Sequence, residues 1–452
     1  MRNRLVVCRP RAAGLLAVGA LIAVLLAAGP AAGAQGLEWG GELRGELRLP
    51  AGEDFRFAEG DIASGLLRLD LHLEAQPSER LRLFAEAALK ARGLPGTLAS
   101  LDDLASLEVL APIDFELVEA YADVHGFLLP QLDLRLGRQR IVWGTAERVS
   151  VVDNVNPLNL EDPWDYGRRL ASDAVKLKAY FSVLTLEAVY VPYFTPALLP
   201  ADVSSAVSMP DGLPAAPLSF TFGTPGDGLW QNTTLGARLA ATVGGWDLAA
   251  SYLYGRQSLP AATKVTVLPD PALEVELGYP RQHVAGLDVA GELFGFGVWG
   301  EAALFWPDYV LVTDTSAVGG GLEPTRAEGY AKWALGLDYT FTGGPYANLQ
   351  YVHGFYNENS SEALNDYLLL GLEWKLLRDR LTIGPLGVAL EVDDLADIAG
   401  SWGLALNPEL SFSPVDAARL TVGLHWLTGA AGTAFGGQKD EGELYLKAAC
   451  SF

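Results

Sequence analysis

The sequence predicts an all-β fold, a transmembrane, antiparallel, up-and-down β-barrel of about 18 strands, with 16 as the other count the pattern allows. Three observations predict it. Apolar residues recur with period two along most of the chain. The connections between these segments alternate between tight turns and long loops, which places short turns on the periplasmic side and long loops on the extracellular side. After residue 34, no uninterrupted apolar run approaches the roughly 20 residues that a membrane-crossing helix needs.

Residues 1–34 read as an export signal. Arg2, Arg4, Arg9 and Arg11 form a positive leader, Ala12 to Gly29 is apolar, and Ala32-Gly33-Ala34 fits a small-residue cleavage site. The barrel is assigned to 35–452. Removing the four leader arginines takes the net charge from −23 to −27, which argues against a nucleic-acid partner. Without Cys8 only Cys450 is left, so no disulfide forms within the mature chain.

Alternation starts at once. Leu37, Trp39, Leu43, Leu47 and Leu49 interleave with Glu38, Glu42, Arg44, Glu46 and Arg48. Leu67, Leu69, Leu71 and Leu73 interleave with Arg68, Asp70, His72 and Glu74, and the pattern repeats from Leu81 to Lys90. Because strands begin at Leu37, no N-terminal plug domain is expected. Short turns fall at 76–79, 126–130, 181–183, 244–245, 294–297, 342–345, 378–379 and 414–416. Between them lie Gly-, Pro-, Asp- and Ser-rich segments at 50–61, 91–113, 144–171, 194–231, 257–280, 307–328, 357–365, 392–400 and 428–441. The last strand, Glu443 to Phe452, alternates and stops on an aromatic ring. Such an ending resembles the C-terminal signal by which outer-membrane proteins engage the barrel assembly machinery. Trp143, Tyr190, Tyr193, Trp230, Trp246, Trp306, Tyr309, Trp333, Trp374 and Trp426 recur near strand ends and read as interfacial girdles.

The stretch from Leu132 to Leu170 carries the functional expectation. Leu132, Leu134 and Leu136 alternate with Asp133 and Arg135, and the phase then slips at Gly137, which predicts a β-bulge there. With the bulge, Asp133, Arg135, Arg138 and Arg140 share one face as a ladder inside the barrel. The long connection that follows is read as a structured loop lying across the mouth or lumen. Asp133, Arg135, Arg138, Arg140, Asp153, Arg168, Arg169, Lys176 and Lys178 are therefore the expected pore-lining or constriction residues. Glu147, Glu161, Asp162, Asp165 and Asp173 supply opposing charge.

The segment Leu136 to Gly144, followed by Asp153, Val155, Asn156 and Pro157, resembles an uncharacterised family of Gram-negative outer-membrane barrels. Its members share a GRQ–WG–D–NP pattern and are grouped with porin-like proteins, with a more distant likeness to alginate-export barrels. The resemblance covers about 25 residues. It implies an outer-membrane location and brings no catalytic residues with it.

A porin-like channel for passive or weakly selective passage of small polar solutes is the leading expectation, since about 18 strands leave an aqueous lumen. The alternatives are a substrate-specific export or uptake conduit or receptor, and an outer-membrane hydrolase. The five histidines are scattered and no G-x-S-x-G is present, so the chain reads as non-enzymatic. Asp393, Asp394 and Asp397 with Glu391 read as a solvated acidic loop tip, and neither metal nor cofactor is expected. Outer-membrane lipid, lipopolysaccharide and small polar solutes are the expected partners, and a homotrimer is compatible with the barrel.

Overall fold

The computed structural model describes residues 36–51, 64–92, 113–162, 164–165, 167–199, 218–223, 228–269, 272–361 and 363–452. The export signal lies outside them, as does most of the loops at 50–61 and 91–113 and much of the loop at 194–231.

The wall begins with β1 (Leu37–Pro50), β2 (Ser64–Ser78), β3 (Leu81–Arg92), β4 (Ile113–Val124) and β5 (Leu132–Gln139). It continues through β6 (Ser172–Phe181) and β7 (Leu184–Val191), after which β8 (Leu218–Phe222) stands apart from it. Next come β9 (Thr234–Val243) and β10 (Trp246–Arg256), then β11 (Ala261–Val267) and β12 (Leu273–Gly278) outside the wall. β13 (Arg281–Leu293) and β14 (Phe296–Asp308) return to it, and β15 (Val310–Asp314) and β16 (Leu322–Arg326) leave it again. The circuit ends with β17 (Tyr330–Thr340), β18 (Tyr346–His353), β19 (Asp366–Leu376), β20 (Leu381–Val392), β21 (Trp402–Val415), β22 (Ala418–Gly429) and β23 (Glu443–Ser451). Eighteen wall strands pair antiparallel with their neighbours, and β1 pairs with β23 to close the ring. Phe452 completes the seam: its N–H donates to Gly41 and its carbonyl accepts from Gly41, both at 3.0 Å. Closure pairs the backbone groups that an open sheet would leave bare in lipid.

All eight expected turns are present, those after β2 and β21 lying slightly later than the alternation placed them, at 79–80 and 416–417. Gly244 and Gly245, at φ +62 and +85, form the whole link between β9 and β10, a two-residue turn that needs left-handed backbone at both positions. The period-two pattern sorts the faces. Leu43, Leu47, Leu67, Leu71 and Leu89 are exposed on the outside, whereas Glu46, Lys90 and Asp123 are buried within. An apolar exterior, a charged interior and no free edge describe a barrel of the bacterial outer membrane.

Three expectations are corrected. No bulge forms at Gly137, because the register runs unbroken from Val124↔Leu134 to Ala120↔Arg138 on one side and from Leu132↔Ala179 to Gln139↔Ser172 on the other. The glycine is required for a different reason: it takes φ +125, and a Cβ there would stand 2.3 Å from the Ala120 carbonyl oxygen. Unbroken register keeps Arg138 on the outward face with Leu134 and Leu136, where it meets Asp173 at 2.9 Å. Trp143 is no girdle residue, being 2% exposed and packed inside the barrel. Finally, the long loops hold their own sheet, ordered β16-β15-β11-β12-β8, around Ala262, Val265, Leu273, Val275 and Leu277. Its strands are short and their pairings partly parallel, so local alternation did not announce them.

Gly137→Val is expected to lower unfolding stability by about 2 kcal/mol or more, since it adds both strain and a backbone clash. Gly45→Ala, with nothing within 4 Å of the added carbon, should be near neutral. Urea midpoints of the two variants check this, and equal midpoints would contradict it.

Candidate functional site

The connection after β5 does not rise away from the barrel. It turns inward and packs against the wall, and the motif residues form its root. Gln139 is fully buried and donates to the Ala174 carbonyl at 3.0 Å. Asn156 accepts from the Ile141 N–H at 2.7 Å and donates to the Gln139 carbonyl and the Ser172 hydroxyl, tying the end of the inbound arm to the start of the outbound one. The Trp143 backbone N–H donates to Asp153, and its indole donates to Glu187 on β7 at 2.7 Å.

The next stretch is held by one side chain. Glu301, on β14 and 3% exposed, accepts from the backbone N–H groups of Thr145 (2.6 Å), Ala146 (2.7 Å), Val151 (2.9 Å) and Val152 (3.3 Å) and from the Ser150 hydroxyl (2.8 Å). Hydrogen bonds to a charged group contribute roughly 1.5–3 kcal/mol each, so this carboxylate serves as the loop's anchor. Gly144, at φ +96, lets the backbone come this close, because a Cβ there would lie 2.4 Å from a Glu301 oxygen. Gln350 on β18 donates to the Val149 carbonyl at 2.6 Å, and Asn348 donates to Glu147 at 2.6 Å. Ile141, Trp143, Val149, Val151, Val152 and Val155 then pack on Ala303, Phe305, Ala334, Val352 and Leu369. The far end of the loop reaches the opposite arc. Arg48 on β1 meets Asp162, Lys90 on β3 meets Glu161 at 2.6 Å, and Trp164 stacks on His425 of β22 with centroids 4.0 Å apart.

The lumen is thereby divided. On one side the loop fills the space against a mostly apolar wall. On the other, β1 to β5 present paired charges. Arg82 forms a fork with Glu74 at 2.6 and 2.7 Å. Arg135 bonds Asp123 at 2.6 and 3.0 Å and lies 4.0 Å from the Tyr121 ring centre, and Lys90 meets Glu116 at 3.0 Å.

The sequence-derived site residues scatter in part. Asp133, Arg135, Lys176 and Lys178 share the inward face of the β5–β6 ladder, as their pairings Asp133↔Lys178 and Arg135↔Lys176 require. Arg140, beyond the end of β5, turns into the lumen toward Glu119 at 3.4 Å and Glu86 at 4.0 Å. Asp153 and Arg169 face each other inside the loop at 3.6 Å, and Arg168 lies 3.9 Å from Glu161. Arg138 is outside. Arg48, Arg68, Arg82, Lys90 and Glu301 were not singled out, although the strand alternation that placed Arg135 inside also places these residues there.

Burial pushes the Asp153 carboxyl up against the pull of Arg169. Burial also acts to raise Asp162 and Glu161, but hydrogen bonds and charge from Arg48 and Lys90 outweigh it and hold both carboxyls below their ordinary values.

No protein-family model and no curated protein matches the sequence. Among solved structures, OccK11 (OpdR) of Pseudomonas aeruginosa aligns at 12% identity over 92% of this chain and 96% of that one, with a TM-score of 0.49. OmpF of Salmonella typhi, in complex with daunomycin, aligns at 9% identity over 92% and 97%, with a TM-score of 0.41. A mutant of the Rh. blastica porin aligns at 11% over 92% and 100%, with a TM-score of 0.40. Likeness at this level carries no function across.

Glu301→Ala leaves four backbone N–H groups without their acceptor and is expected to cost about 3 kcal/mol or more. It should also open the 144–152 segment to protease, with Glu301→Gln intermediate; a variant as stable and resistant as wild type would remove the anchor. Two carboxyls with depressed values give a second test. Their contribution is complete above the ordinary carboxylate range near pH 4 and is lost as the pH falls below it. Near-ultraviolet circular dichroism, sensitive to the Trp164 stack, should hold steady from about pH 8 to 5 and change only under more acid conditions. A change centred near neutrality would contradict these pairings.

Proposed function

We propose that this chain is a porin-like channel of the outer membrane for small polar solutes, passive or weakly selective, with loop 144–171 as its constriction. The observation that carries this reading is the inward-folded loop, clamped by Glu301, inside a closed barrel whose remaining lumen is walled by charge. A polar wall of this kind is costly in a dry interior and is compatible with water. Asp133, Arg135, Arg140, Asp153, Arg168, Arg169, Lys176 and Lys178 are the residues we assign to the lining. A substrate-specific conduit or receptor is the second reading, favoured by the sheet that the extracellular loops build for themselves.

Further parts of the proposal rest on the sequence. Residues 1–34 direct export, and the terminal Phe452 engages the barrel assembly machinery. The girdle meets lipid and lipopolysaccharide, and the GRQ–WG–D–NP segment marks kinship with the uncharacterised porin-like barrels. In this reading the segment is the root of the constriction loop, since Gln139, Trp143, Asp153 and Asn156 all bond across it. A homotrimer suits the apolar exterior.

Refolded protein in a planar bilayer should give stable ohmic steps. Arg140→Ala should shift the reversal potential under a salt gradient toward cation preference, because it removes the cation facing Glu86 and Glu119. Arg138→Ala should leave it unchanged. Absence of conductance from a folded barrel would overturn the channel reading, and equal shifts from both variants would overturn the placement of the two arginines.

A further inference from the structure

Most of the lumenal cations described above are closely matched by acids, and Arg48 has three carboxylate partners: Glu46, Asp162 and Glu443. The constriction loop is different. Its two arms, around 140–150 and 167–169, bound a chamber of about 250 Å³ whose lining residues include Arg140, Arg148, Arg168 and Arg169. Two carboxylates, Glu147 and Asp153, line the same space. Glu147 is already engaged by Tyr346 and Asn348. Arg169 has only 11% of its side chain exposed, and its Nε and Nη1 are buried without a hydrogen-bond partner; Asp153, at 3.6 Å, is too far to satisfy them. Arg148 forms no ion pair among the described residues, and its guanidinium lies over Gly371 of β19, where a Cβ would stand 1.9 Å from Nη2. A glycine on the wall thus makes room for a cation that the protein does not neutralise.

Buried donors without acceptors are costly and call for a partner. A surplus of planar, multi-donor cations is complementary to a planar, two-oxygen anion. The volume is below the range typical of drug-sized ligands. We propose that this chamber is a binding station for a compact organic carboxylate, held chiefly by Arg148 and Arg169, so that the loop concentrates small organic acids at the constriction. The proposal rests on the channel reading and gives it a solute class. Arg140, at the chamber's edge and within reach of Glu119 and Glu86 on the neighbouring strands β4 and β3, links the station to the acidic wall.

Succinate and its uncharged analogue succinamide are the probes, applied to the full chain in detergent at low ionic strength and measured by isothermal titration calorimetry. Succinate should bind at least tenfold more tightly than succinamide. Arg148→Gln should weaken succinate at least fivefold with an unchanged urea midpoint, and Arg148→Lys, which keeps the charge but loses the fork, should fall between. Arg169→Gln can fail to fold, so Arg148 carries the test. Equal binding of the two probes, or wild-type succinate affinity in Arg148→Gln, would overturn the station. Calorimetry does not depend on conduction, so the outcomes separate. Conductance without succinate binding refutes the station alone, while binding without conductance refutes the channel and leaves the station.

Discussion

One buried carboxylate organises the inside of this barrel. Four backbone N–H groups and a hydroxyl converge on Glu301, and none of them belongs to regular secondary structure. A loop drawn into a barrel loses water on all sides, so its polar backbone must find protein partners or remain outside. Glu301 meets that requirement for the stretch at the centre of the constriction. Gln350 and Asn348 extend the seam along β18, and the valines beside them fill the apolar wall behind. Remove the acceptor and the packing loses its register.

This anchoring has a consequence for charge. Because the loop packs on β14 to β19, the inward positions there can be apolar: Phe305, Ala334, Val352 and Leu369 are covered. Strands β1 to β5 receive only the loop's tip, so their inward positions stay polar and neutralise one another across the ladder, as Arg82 does with Glu74 and Arg135 with Asp123. Paired charges of this kind orient polar solutes while contributing little net field. Unmatched donors occur in the loop at Nε and Nη1 of Arg169, as they do on the wall at Nε of Arg238 and Arg281. The two arms are held near one another by Asn156, so the same residues that root the loop also shape the chamber between them.

The fold was largely legible in the sequence because a strand fixes its own alternation and a turn its own backbone. Leu67 to Glu74 must put leucine on one face and polar groups on the other. Gly244-Gly245 must turn. Residues 132–170 were legible as strand followed by structured loop, and Gln139, Trp143, Asp153 and Asn156 were legible as a motif without a stated purpose. Glu301 was only one alternating acid among many, because its partners lie about 150 residues earlier in the chain.

Local chemistry, then, determined which residues form the wall strands, where the chain reverses between them and which faces meet lipid. The tertiary structure decided where charge acts. Arg138 and Arg140 are two residues apart and chemically identical. Unbroken register past Gly137 sets one outside the wall, and the inward bend after Gln139 turns the other toward Glu119. Alternation is a property of neighbours, whereas direction beyond a strand's end depends on what the loop can bond to across the barrel.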